Sequence, residues 1–259
     1  MLPLGGFTGY FDDTGEPSDP RQKFSGIAGL LAHSEKWPEF EQSWWPDALA
    51  KAGKKEYHGR KIGSRVSVKR VENIRDNLLD AVEKLTPIPI SWTISLDALR
   101  EIPTYERRGL RTPYYQAFLH CVGNCTNFVR NDMNVSEQGI LTIFDNKLPF
   151  ESKAQAYYKK GLSVFPLLSR HWSAPSFRSS RGFAPLQAAD LIADILKNEY
   201  KRQLYEPHNE RPLPSFERIH TFFSKAMYQP HNGYTSYPPN VPFLFLRNVE
   251  DIKTYIARS

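Results

Sequence analysis

The 259-residue sequence has only two cysteines, Cys121 and Cys125. They stand four residues apart with neither a CxxC pair nor a second set of ligands. A four-ligand structural zinc site is therefore excluded, and two packed thiols in a reducing compartment are expected. No segment approaches the roughly 20 apolar residues that cross a bilayer. The opening Met1-Leu2-Pro3-Leu4-Gly5-Gly6 lacks the basic region and long apolar run of a secretion signal. The expectation is a cytoplasmic protein with no membrane partner. Also missing are a GxSxG nucleophile elbow, a Walker-type phosphate loop, an HExxH motif and a dinucleotide fingerprint after a strand. Each absence removes the enzyme class that depends on it.

The composition is that of a globular chain, 40% hydrophobic, with 34 Lys and Arg against 28 Asp and Glu for a formal charge of +6. At this length one substantial core is expected, and hence a single domain. The mild positive charge favours anionic partners only if a site accompanies it.

Periodicity predicts a strand over 6–12, ended by Thr14-Gly15 and the proline-rich 17–20, and a second strand over 24–32 paired with it as a long-looped hairpin. Ser34 is expected to cap a helix running to Ala52 on the apolar spacing of Trp37, Phe40, Trp44, Trp45 and Leu49. An amphipathic helix over 66–85 stops before Pro87. A strand over 88–96 follows, with Ile88, Ile90, Trp92 and Ile94 on one face. Further expectations are helices over 114–129, 151–160, 185–205 and 216–227, a strand over 140–145, and a Ser/Arg-rich loop over 169–182. Beyond Pro207 an irregular extension is expected, ending in Phe243-Leu244-Phe245-Leu246. Alternation of strands and helices predicts an α/β sheet.

Three acidic positions lie far apart in sequence at the edges of apolar segments: Asp12 in Phe11-Asp12-Asp13-Thr14-Gly15, Asp145 in Ile143-Phe144-Asp145, and Asp190 in Gln187-Ala188-Ala189-Asp190-Leu191-Ile192-Ala193-Asp194. Gln187, Asp190 and Asp194 form one polar stripe on a helix otherwise apolar all round, so a cation is expected opposite. That cation is a metal ion or an arginine such as Arg178 or Arg181, or else the stripe reaches solvent; the last two readings suit Asp194 better than Asp190. Strand alternation sends Asp12 and Asp13 to opposite faces, so one of the two can join an interior site, and a plain turn role competes with it. If Asp12, Asp145 and Asp190 converge at about 4.5 Å, each pair repels by roughly 3 to 4 kcal/mol at an effective dielectric near 20. A bound cation relieves that repulsion, and all-oxygen ligation suits Mg2+ or Mn2+ and phosphodiester hydrolysis.

Glu56 and His58 share one face of a short extended piece, as a proton-transfer or water-orienting pair or as structural hydrogen-bonding residues. Basic and aromatic residues interleave at Tyr105, Arg107, Arg108, Arg111, Tyr114 and Tyr115, and again at Arg170, Trp172, Arg178 and Arg181. Such mixtures suit phosphate contact and base stacking, or a solvated loop.

In order, Asp12-Asp13-Thr14-Gly15, Glu56-Tyr57-His58-Gly59, Asp145 and the Gln187-to-Ala193 helix segment resemble the bacterial and phage family catalogued as domain of unknown function 3800. The resemblance spans most of residues 7 to 200, with Ala188 where that family commonly has leucine. It implies a divergent ribonuclease H-like fold, a mixed β-sheet flanked by α-helices, with an acidic two-metal site. The activity it implies is a metal-dependent nuclease acting on RNA or DNA, with Asp12, Asp145 and Asp190 as metal ligands and Glu56 and His58 as auxiliary groups. The alternative is a non-catalytic module that binds nucleic acid or a partner protein in phage defence or a mobile element.

Overall fold

Seven residues, Phe7–Asp13, buried along nearly their whole length, form β1, and the longer apolar run Phe24–His33 returns beside it as the antiparallel β2. In this computed structural model the described residues are 6–14, 22–62, 67–104, 106, 112–129, 139–146, 150–164, 173–206, 211–227 and 243–258. The chain continues through α1 (Lys36–Ser43) and a π-helical turn over Trp44–Leu49. Pro46 lacks an N–H and its ring crowds the carbonyl one turn back, which accounts for the widened turn. The predicted cap at Ser34 is not formed. Its hydroxyl instead hydrogen-bonds the Thr8 hydroxyl at 2.8 Å, tying the end of β2 to β1.

After the short α2 (Gly59–Ile62) come α3 (Val68–Leu85), β3 (Ile88–Ser95), α4 (Leu96–Glu101) and α5 (Pro113–Asn127). Next are β4 (Ile140–Asp145), α6 (Phe150–Val164), β5 (Ser176–Arg178), α7 (Ala184–Tyr205) and α8 (Pro214–Met227). The chain closes with β6 (Phe243–Leu246) and α9 (Val249–Arg258). One sheet runs in the order β5-β4-β1-β2-β3-β6. β2 is antiparallel to β1 and β3, whereas β4 runs parallel to both β1 and β5, and β6 parallel to β3. The chain is thus a mixed α/β fold, a mixed sheet flanked by helices.

Two differences from the sequence reading stand out. The stretch 169–182 contains β5, three residues that pair with the edge of β4. The segment beyond Pro207 is not wholly irregular, because its apolar Phe243–Leu246 becomes the sixth strand and is followed by α9.

Period-two alternation divides the core. Tyr10, Ala28, Leu30 and Ile143 face a layer built from α1, α3, α7 and α8, with Leu78, Leu186, Ile192 and Phe223 buried in it. Phe7, Phe11, Ile27, Trp92, Ile94 and Phe144 face the opposite layer of α4, α5, α6 and α9. The face shared by Ile88, Ile90, Trp92 and Ile94 is as the sequence predicts. Cys121 and Cys125 are free and buried in this second layer. Among the described residues, no helix is long and apolar enough to cross a membrane.

Candidate active site

The parallel pairing of β1 with β4 places Phe11 opposite Phe144. One residue further on, Asp12 and Asp145 stand abreast at the carboxyl ends of two neighbouring strands, on the face that α7 covers. Adjacent strands lie about 4.8 Å apart, so the two carboxylates are close neighbours. The buried helix α7 packs across β1 and β2 and carries Asp190 to the same place. Asp12, Asp13, His58, Asp145, Ser180, Asp190, Asp194 and Lys197 line a single cleft. Asp12, Asp145, Asp190 and His58 are therefore brought together. Glu56 is half-buried and is not among the residues that line the cleft. Asp13, which alternation directs to the other face, reaches the cleft because it sits at the tip of its strand.

Hydrogen bonds fix each carboxylate. Asp12 accepts from the Asp13 N–H at 2.7 Å, and Asp145 from the Ser180 N–H at 2.8 Å. Asp190 Oδ2 accepts from the Gly59 N–H at 3.1 Å and lies 3.3 Å from His58 Nδ1. Burial pushes the Asp145 carboxyl up to about 6, and the Asp12 charge adds to the effect. Burial also raises Asp190 to about 6; its bond to His58 opposes that shift, while the Asp12 charge reinforces it. Asp12 thus acts electrostatically on both of the other carboxylates.

The remaining members of the α7 stripe are structural. Gln187 is fully buried; its Oε1 accepts from the Trp44 indole at 3.2 Å and from the Tyr57 N–H at 3.0 Å, while its amide donates to the Ser180 carbonyl at 3.3 Å. One side chain thereby fixes the segments that carry both His58 and Ser180. Of the readings open for Asp194, an arginine opposite is the one found, but that arginine is Arg75 of α3 rather than Arg178 or Arg181. Arg75 donates to Asp194 Oδ2 at 2.7 Å and to Glu72 at 2.6 Å, and Glu72 in turn accepts from the Ser215 N–H at the start of α8. Tyr57 and Asn198 complete the shell of Asp194 at 3.0 Å each.

Of the basic-aromatic stretches, 105, 107–111, 170 and 172 lie outside the described residues. Tyr114 and Tyr115 are buried in an aromatic cluster with Phe150 and Tyr157, so they are core rather than stacking surface. Arg178 is exposed, its guanidinium 5.6 Å from the Phe183 ring centre.

The site's donors are carboxylate oxygens, the ligand type that suits Mg2+ or Mn2+. Among the described residues, however, no three His, Cys, Asp or Glu side chains are grouped to hold one ion as they stand.

No family model matches the chain. No curated protein matches it either. Among solved structures it is similar to the crystal structure of the ribonuclease H2 from Pyrococcus horikoshii OT3, with 11% identity over 98% of this chain and 100% of that one, at a TM-score of 0.40. A likeness at that level says nothing of activity.

Proposed function

We propose that the chain is a metal-dependent nuclease with a ribonuclease H-like domain, hydrolysing phosphodiester bonds of RNA or DNA, and that it belongs with the domain of unknown function 3800 proteins its motifs resemble. The observation that carries this reading is that Asp12, Asp145 and Asp190, distant in sequence, line one cleft at the carboxyl ends of parallel strands. Burial and a neighbouring carboxylate raise two of them to about 6, an electrostatic cost that a divalent cation removes. Asp12, Asp145 and Asp190 would hold Mg2+ or Mn2+, which supplies charge stabilisation at the phosphoryl group and activation of water.

The chain's own residues then have defined tasks. The Ser180 N–H holds Asp145 in orientation, and the Gly59 N–H does the same for Asp190. Asp190 engages the Nδ1 side of His58, so proton exchange with the attacking or leaving oxygen falls to Nε2. Glu56, set back from the cleft, has at most an indirect part.

Asp190→Asn keeps an acceptor for the Gly59 N–H and removes the charge. It should abolish Mg2+- or Mn2+-dependent cleavage of RNA and DNA while the thermal melt of the protein is retained. Undiminished cleavage by this variant would overturn the assignment. The second reading is a non-catalytic module that binds nucleic acid or protein. Salt-sensitive binding with no metal-dependent turnover would favour it.

A further inference from the structure

We infer that Lys197 is a substrate-binding residue of this cleft, contacting a phosphate of the bound nucleic-acid strand beside the one at the carboxylates. The inference rests on the nuclease reading above. Gln187, Asp190, Asp194 and Lys197 follow one another at intervals of three or four along α7, so they form a single ridge of side chains. Gln187 is committed to Trp44, Tyr57 and Ser180, and Asp194 to Arg75, Tyr57 and Asn198. Among the described residues Lys197 has no such commitment. It is half-buried, lines the cleft, and is in no ion pair among the described residues, whereas Asp190 and Asp194 pair with His58 and Arg75.

Its sign and position define the ligand. Five aspartates line the cleft, and among the described residues Lys197 is the lysine or arginine that lines it. With Asp194 neutralised by Arg75, the wall is still strongly acidic, which repels a polyanion at any point not screened by a cation. Lys197 lies two turns beyond Asp190, about 10 Å along the helix axis, and helical side chains lean toward the N-terminus. The ammonium therefore tilts back toward the carboxylates, within reach of a neighbouring phosphate of the same strand. A lysine at such a place acts as a point charge on a phosphate oxygen and reads no base, so the contact is independent of sequence.

The test is fluorescence anisotropy of labelled single-stranded RNA and DNA binding to the full chain in EDTA, titrated with salt, for the parent protein, Lys197→Ala and Lys197→Arg. Removing one phosphate contact should weaken binding at low salt and make the slope of log K against log[salt] shallower by about 0.7. Lys197→Arg should restore the slope, and all three proteins should melt alike. In Mg2+ or Mn2+, Lys197→Ala should raise KM with kcat retained. An unchanged slope in Lys197→Ala, or no binding by the parent protein, overturns the inference. Cleavage combined with an unchanged slope leaves the nuclease reading standing and removes Lys197 from it. A Lys197-dependent slope without any cleavage does the reverse.

Discussion

A methyl group on Gly59 would stand 2.7 Å from both Cβ and Cγ of Asp194. The short helix that begins at Gly59 therefore lies against α7 with no room for a side chain, and that proximity is what lets the Gly59 N–H reach Asp190. Asp194 has no freedom to yield, being held at once by Arg75, Tyr57 and Asn198.

Gly59→Ala should accordingly push His58 and its neighbours off α7. The expected cost is about 1 to 3 kcal/mol from overpacking, together with loss of any metal-dependent cleavage. Urea denaturation and a cleavage assay on the same preparation check both, and a fully active, unshifted variant would show that the contact is soft.

Arg75 is 4% exposed and bridges Glu72 and Asp194, themselves nearly buried. Arg75→Met leaves two carboxylates without their counter-charge and should cost roughly 3 to 5 kcal/mol, whereas the triple change with Glu72→Gln and Asp194→Asn should recover much of that loss. Equal destabilisation of the single and triple variants would argue against charge as the cause.

Gln187→Met keeps the volume and removes both the acceptor and the donor. The Trp44 indole and the Tyr57 N–H are left buried and unsatisfied, for about 1 to 3 kcal/mol each. Because Tyr57 precedes His58, amide exchange should speed up around residues 57–59 before any global unfolding. Protection there identical to that of the parent protein would refute the bracing role.

Stability should respond to acid through two opposed sets of groups. The Asp145 and Asp190 carboxyls rise from 3.8 to about 6, so between those values the folded chain holds protons that the unfolded chain releases. Their contribution is greatest below about pH 4 and declines as pH climbs through about 6. His120 behaves oppositely, since burial lowers it from 6.5 to about 4; its contribution is intact above 6.5 and is lost as pH falls toward 4. In the double variant Asp145→Asn/Asp190→Asn, the denaturation midpoint should fall as the buffer is taken from pH 6.5 to 4. In His120→Gln it should rise over the same interval. Parallel curves for the two proteins would contradict both assignments.

Much of this arrangement was legible in the sequence because the signals were local. Turn residues bounding short apolar segments marked β1 and β4, each closing on an aspartate, and the nearly all-apolar α7 made Asp190 conspicuous as a buried charge. Arg75 was not legible, since it sits in an amphipathic helix among charges that mostly face solvent, and only packing against α7 buries it. β5 escaped because Ser176-Phe177-Arg178 is too short to alternate, and its pairing comes from the open edge of β4. Ser180 acts through its backbone N–H toward Asp145, a contact that residue type does not announce. The convergence of the carboxylates depended on β1 and β4 being parallel neighbours, a matter of topology rather than of local pattern.

The sixth strand occupies the flank of β3 at Ser91–Ile94 and comes from a segment about 150 residues further along the chain. Without Phe243–Leu246, that flank would present unpaired backbone N–H and C=O groups in an apolar strand, a template for joining another molecule edge to edge. A shortened protein lacking residues 243–258 would keep every cleft residue and yet expose this sticky margin, so self-association is the hazard of such shortening.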